Sequence, residues 1–237
     1  MIEHGNVSED IAEPDIYAFD REKHEFKIRG RRVHSVTQAL REAGLVRFFC
    51  SRSVLEAARQ RGKDVHMLVA DIDQHPDKSY FQDSEHAGYG RAWFAFKREF
   101  GFVHEASEQR VFNLIHQYAG IYDKRGWIFA GSHRQREVVV EIKSGGFAPW
   151  HAEQTAGYAL AINDRVAISR TPARLAVYLR PDGKFSVREF DDLRDFSHFL
   201  AALSVSRLRR DRNLIQEDMG FDEIFSGDMM RAKFPTS

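Results

Sequence analysis

Between residues 106 and 143 the chain follows the two-residue period of a β-sheet, and this stretch limits the fold more than any other. Three runs, 110–115, 119–130 and 138–143, are separated by short polar turns and read as an antiparallel meander. Helical patterns stand on both sides of it. Val54, Leu55, Ala58, Val65, Leu68, Val69 and Ile72 keep a 3.6-residue period over 53–72, while Tyr89, Trp93, Phe96 and Phe100 mark a second helix closed by Gly101. A third helix is expected over 150–162. Strands at 173–179 and 185–190 then flank the turn Arg180-Pro181-Asp182-Gly183-Lys184, and a last helix starts near Asp192. Upstream, 16–19 and 24–28 read as a hairpin, and Ser35 with Gln38 forms a capping box for a short helix ending at Gly44.

Two hundred and thirty-seven residues suit one domain, expected over 15–215 with its core at about 51–190. A polar, acidic arm over 1–14 and a tail over 216–237 offer no periodicity and are expected to be loose. No run of eighteen apolar residues and no leader-like start is present, so a soluble cytoplasmic protein without membrane contact is expected. The single cysteine, Cys50, excludes an intramolecular disulfide and a cysteine-ligated iron–sulfur cluster. Basic and acidic residues balance at 35 each, so any site for a polyanion must be local rather than a property of the whole surface.

The chemistry concentrates where the third strand of the meander ends. In Val138-Val139-Val140-Glu141-Ile142-Lys143, the strand period sends Glu141 and Lys143 to one face and Ile142 to the other. Folding the preceding hairpin about a turn near Arg134 brings Asp123 alongside, within a slip of about two residues. Two adjacent carboxylates remain ionised mainly when a divalent cation lies between them, and Mg²⁺ or Mn²⁺ suits oxygen ligands. Taken alone, an E-x-K on a strand is equally a surface ion pair. His66, beside Gly62 on the long helix, can complete such a site or serve as a core histidine. Gln154 and Tyr158, four apart on the helix after the strand, share one face and can reach a phosphate. Glu108 can orient a ligand or the lysine from behind, or remain a solvated carboxylate. Trp150 and the loop Ser144-Gly145-Gly146-Phe147 can admit a strand and stack a base, and Arg207 and Arg210 can contact phosphates, although a charge run is commonly a solvated helix face.

In this order, Gly62-x-x-x-His66, Glu108, Gly120-x-x-Asp123, Glu141-x-Lys143 and Gln154-x-x-x-Tyr158 resemble the RecB-type branch of the PD-(D/E)XK nucleases, including its bacteriophage exonucleases. The likeness spans most of residues 15–165. It implies an α/β (mixed α+β) fold with a restriction-endonuclease-like core, in which a central mixed sheet is flanked by helices. It further implies a metal held by His66, Asp123, Glu141 and the carbonyl of Ile142, with Lys143 positioning or activating water and Gln154 and Tyr158 aligning the scissile group. The implied activity is a Mg²⁺- or Mn²⁺-dependent DNA exonuclease in recombination, repair or phage DNA processing, with a recombination or single-strand-binding protein as a possible partner. An endonuclease of the same fold and a non-catalytic DNA-binding member are the alternatives. Two departures stand out: Tyr122 occupies the place of the proline before Asp123, and Glu replaces the commoner Asp at position 141.

Overall fold

The computed structural model describes residues 16–47, 50–75, 85–129, 135–163 and 167–215; the expected arm and tail lie outside them. The N-terminal hairpin is β1 (Tyr17–Asp20) and β2 (Glu25–Ile28), with Tyr17 opposite Ile28. A third strand follows directly, β3 (Arg31–Ser35), which sequence analysis did not anticipate because Arg31-Arg32-Val33-His34-Ser35 offers only one aliphatic residue. Ser35 then caps α1 (Val36–Ala43), its Oγ accepting the N–H of Gln38 at 3.2 Å, and Gly44 closes that helix with φ 89°.

The long helix α2 (Arg52–Gln74) and the aromatic helix α3 (Ala87–Phe100) come next, the latter ended by Gly101 with φ 56°. The meander is β4 (Val103–Asn113), β5 (Tyr118–Ile128) and β6 (Arg136–Lys143), antiparallel throughout. β4 starts earlier than its polar sequence suggests, because nearly its whole length pairs with β5. The chain continues through α4 (His151–Ile162), β7 (Ala173–Leu179), β8 (Phe185–Glu189) and α5 (Arg194–Asp211).

These strands form one eight-stranded sheet in the order β1-β2-β3-β5-β6-β7-β8, with β4 on the other edge of β5. β3 runs parallel to β5, and β6 parallel to β7. Helices α2 and α3 cover one face through Val65, Val69, Trp93 and Phe96, packed on Val138, Val140, Ile142, Leu175 and Val177. On the other face, α1, α4 and α5 bring Leu40, Ala159, Phe196 and Phe199 against Tyr118, Tyr122 and Val139. The architecture is therefore mixed α/β, a central mixed sheet flanked by helices. No helix among the described residues is long and apolar enough to cross a membrane.

One edge of β5 is divided between two partners, and this creates the opening that matters most. Tyr118 pairs with His34 and Ala119 with Ser35 of β3, whereas Lys124 to Ile128 pair with β6, the last pair being Lys124 with Val140. Beyond that pair β6 continues beside β7 alone, so β5 and β6 part at Asp123 and Glu141.

A buried ionic clamp fixes α2 beside this seam. Asp73 Oδ2 lies 2.7 Å from Lys124 Nζ, and its Oδ1 accepts from Lys97 Nζ at 2.7 Å and Trp93 Nε1 at 3.0 Å. Lys124 Nζ also donates to Ser107 Oγ at 2.8 Å, so α2, α3, β4 and β5 meet in one network. The three donors hold the Asp73 carboxyl below its usual pKa despite the opposing effect of burial, the largest single influence on it. The Asp73→Ala variant leaves the Lys124 ammonium buried without a counter-charge and is expected to lose about 3–5 kcal/mol of stability. Urea unfolding checks this; a midpoint within error of the wild type would show that the clamp contributes nothing.

Candidate active site

At the parted strands, Asp123 replaces the missing ladder bond with its own side chain. Its Oδ2 accepts the backbone N–H of Ile142 at 2.7 Å, which fixes the carboxylate across the gap. Glu141 and Lys143 project to the α4 face, while the Ile142 side chain enters the opposite core with α2. Lys143 Nζ donates to Glu141 Oε1 at 3.0 Å and to Gln154 Oε1 at 2.9 Å, and Gln154 Nε2 donates to the same Glu141 oxygen at 2.7 Å. Gln154 is thus a buried strut between the acid and the base rather than a group reaching outward.

Tyr158 stands behind Gln154, its hydroxyl accepting from Nε2 at 3.4 Å. Burial, reinforced by the nearby Glu141 and Asp123 charges, pushes its phenol well above the usual range and keeps it protonated. The ring lies over Gly120, where an added Cβ would meet Tyr158 Cε1 at 2.7 Å. Gly120 therefore belongs to the Gly120-x-x-Asp123 pattern for a steric reason. Gly62 differs: among the described residues a Cβ there would meet only Ser144 Oγ, at 3.9 Å, so no close backbone approach requires a glycine at that position.

From the opposite face, α2 presents His66 to the seam. Its Nδ1 lies 3.5 Å from Asp123 Oδ1 and 3.6 Å from Glu108 Oε1, and its Nε2 is 3.2 Å from the carbonyl oxygen of Ile142. Glu108, expected to stand behind a ligand, instead faces His66 directly. It does so from a left-handed backbone, φ 51°, inside β4, a conformation that is costly for a residue with a long side chain. Strain of this kind, held where a carboxylate meets an imidazole, is a marker of functional constraint.

The donor set suits a divalent cation. Ligand atoms of His66, Glu108 and Asp123 lie within 4.8 Å of one another, and the Ile142 carbonyl adjoins them. Glu141 Oε2 is buried and has no hydrogen-bond partner among the described residues, although its other oxygen has two. A buried carboxylate oxygen left without a donor is costly, and a cation is one group that would satisfy it. Charges in the metal-free protein respond to the same crowding. Burial, then Asp123, pushes Glu141 up to about 7, and Asp123, with Glu108 assisting, raises His66 to about 9. A second cluster of possible ligands, Glu153, Asp195 and His198, lies outside this site, and its Asp195 is already held by Arg174 at 2.9 Å.

The remaining candidates divide. Trp150 flanks the lysine, with Lys143 Nζ 5.3 Å from its ring centroid. Arg207 and Arg210, considered for DNA contact, are engaged inside the protein. Arg207 donates to the carbonyls of His116 and Gln117 at 2.6 and 2.7 Å, and Arg210 donates to Glu42 at 2.5 Å, so both fasten α5 to its neighbours. Sequence analysis missed His151. Its Nδ1 accepts from Ala148 N–H at 3.3 Å and lies 2.9 Å from the Tyr178 hydroxyl, and burial, with Lys143 adding to it, depresses its pKa to about 3. Neutral His151 anchors the loop that follows Lys143; its place at the start of a helix after Pro149-Trp150 gave no distinctive signal.

No protein-family model matches the sequence, and no curated protein is detectably similar to it. Among solved structures, the chain is similar to one described as SSO0001, with 15% identity over 83% of this chain and 86% of that one and a TM-score of 0.38. It is also similar to an alkaline exonuclease, LHK-Exo, from Laribacter hongkongensis, with 18% identity over 67% and 75% of the two chains and a TM-score of 0.32. For LHK-Exo in complex with dAMP the values are 16%, 77% and 94%, and 0.32. Likeness this distant decides nothing about function, which rests on the geometry.

The raised pKa values give a signed expectation for the protein in EDTA. His66 moves from 6.5 to about 9, so its stabilising contribution is complete below about pH 6.5 and is lost as pH rises through 9. Glu141 moves from 4.5 to about 7 and acts in the same direction at lower pH. The histidines His34, His104 and His151 are depressed, so above their ordinary value of 6.5 they are neutral whether folded or not. The urea midpoint should therefore fall between about pH 7 and pH 9, and the fall should be smaller in His66→Gln. A midpoint that rises over this interval in the wild type would contradict the assignment.

Proposed function

We propose that the protein is a Mg²⁺- or Mn²⁺-dependent deoxyribonuclease that hydrolyses phosphodiester bonds, acting as an exonuclease on DNA ends in recombination, repair or phage DNA processing. The observation that supports this reading above the others is the buried Glu141 Oε2, which has no partner among the described residues and whose carboxylate feels the charges of Asp123 and His66, with Lys143 hydrogen-bonded to the other Glu141 oxygen. Asp123, Glu141, His66 and the Ile142 carbonyl would hold the ion, and Glu108 can join them. Bound there, it would supply Lewis-acid polarisation of the phosphate and make an attacking water more acidic.

The chain's own groups supply the rest of an in-line displacement. Lys143 brings a positive charge and three donors to the site, which suits it to orient the attacking water and to offset charge gathering on the phosphorane oxygens. Gln154 holds Lys143 and Glu141 in register through both ends of its amide. Tyr158 acts as a positioning residue through Gln154, because its hydroxyl is buried behind that side chain. The buried Asp123 carboxylate is oriented by the Ile142 N–H.

End-labelled linear DNA and a matched closed circle, each incubated with Mg²⁺, Mn²⁺ or EDTA, test the reading. Release of nucleotides from the linear form alone, abolished by EDTA and by Glu141→Ala, is expected. Lys143→Ala should lower the rate about 10²- to 10⁴-fold while leaving the fold intact. Cutting of the circle would replace the exonuclease with an endonuclease, and full activity of Lys143→Ala would remove the lysine from the mechanism.

A further inference from the structure

Two strands away from the proposed centre, the same face of the sheet carries a second constellation that the mechanism does not use. Glu141 pairs with Ala176 and Ala176 with Arg188, while Lys143 pairs with Tyr178 and Tyr178 with Ser186. Directly paired residues project to the same face, so Glu141, Lys143, Arg188 and Ser186 line one surface, with Arg188 displaced by two strand spacings, roughly 10 Å. Beside Arg188 and Ser186 lies a groove of about 420 Å³, lined also by Ser144, Gly145, Gly146, Phe147 and Arg180, among others.

Its floor is prepared for a flat, anionic guest. Phe147 is 48% exposed, and Arg188 Cζ lies 4.0 Å over its ring centroid. The opposing support is rigid: His151 and Tyr178, hydrogen-bonded to each other, meet the Phe147 ring edge-on at 6.2 and 6.4 Å. A Cβ added at Gly145 or Gly146 would meet nothing within 4 Å, so the loop leaves space above the sheet. Arg188 makes no ion pair with a carboxylate among the described residues, whereas Arg180 on the rim is paired with Asp182 at 3.2 Å.

We infer that this groove binds the unpaired strand of the nucleic-acid substrate next to the cleaved bond, a base stacking on Phe147 and a phosphate pairing with Arg188. The inference rests on the nuclease reading, and the groove adjoins that centre because its Ser144 follows Lys143 in the chain and its Tyr178 is the strand partner of Lys143. A stacked base needs an exposed π-face, which a nucleotide within a duplex does not offer, so the occupant is single-stranded. Arg188 exchanges a weak, exposed contact with the ring for a charge-assisted bond to phosphate.

Fluorescence anisotropy with a fluorescein-labelled twelve-nucleotide single strand, and with the same sequence as a duplex, tests this in Ca²⁺. Arg188→Ala and Phe147→Ala should each weaken single-strand binding about tenfold, Phe147→Trp should restore it, and the charge control Lys27→Ala at the far end of the sheet should bind as the wild type does. Unchanged binding in both groove variants, or equal losses on the duplex, would overturn the inference. Cleavage of linear DNA, followed in parallel, separates the two claims: a wild type that cleaves beside groove variants with unaltered binding and KM sinks the groove alone. A wild type that cleaves nothing sinks the nuclease reading, and the anisotropy series then still scores the groove.

Discussion

The hydrogen bond from Ile142 N–H to Asp123 Oδ2 is the contact on which the rest of the site depends. An antiparallel ladder would ordinarily continue from Lys124 and Val140 to Asp123 and Glu141, and two carboxylates would then face each other across paired backbones. Instead the strands part, a side chain takes over the role of the backbone acceptor, and the Ile142 carbonyl is left to face His66. The separation is imposed from outside, since β5 must share one edge between β3 and β6 while β6 follows β7. Topology thus opens a slot, and the side chains beside it are acidic.

The electrostatics follow from that slot. Glu141 and His66 are both pushed upward, Glu141 by burial and then by the Asp123 charge, His66 chiefly by Asp123, so the neighbouring carboxylates crowd negative charge around too little cation. In the metal-free protein the His66 imidazolium, together with Lys143, partly fills that deficit. A divalent cation would fill it better and would release His66 from its dual contact.

Local physics made much of this legible in advance. The meander, the caps at Ser35, Gly44 and Gly101, and the opposite facing of Glu141 and Ile142 all follow from periodicity and turn chemistry. The hairpin register could be approached but not fixed: a turn centred on Arg134 would set Ile128 opposite Val140, whereas it pairs with Arg136, four positions away and beyond the expected slip of about two. What escaped depends on contacts distant in sequence. β3 exists because β2 and β5 offer it edges, and the parallel pairings depend on how the chain crosses between strands. His66 reaches a carbonyl 76 positions away because the core packing of Val65 and Val69 and the Asp73 clamp together set α2 against the sheet. Glu108 could not be placed, since its left-handed backbone is a tertiary strain with no residue signature. Arg207 and Arg210 looked like a phosphate patch because a sequence does not display the acceptors, Glu42 and two carbonyls, that engage them.

Titration of the protein with Mn²⁺, followed by the loss of the free ion's electron paramagnetic resonance signal, tests the central claim most directly. Asp123→Asn is the informative variant, because an amide oxygen can still accept the Ile142 N–H while the negative charge is gone. Stoichiometric binding by the wild type and a loss of at least about tenfold in affinity in the variant are expected. Equal binding by both proteins would mean that the parted strands are not a metal site.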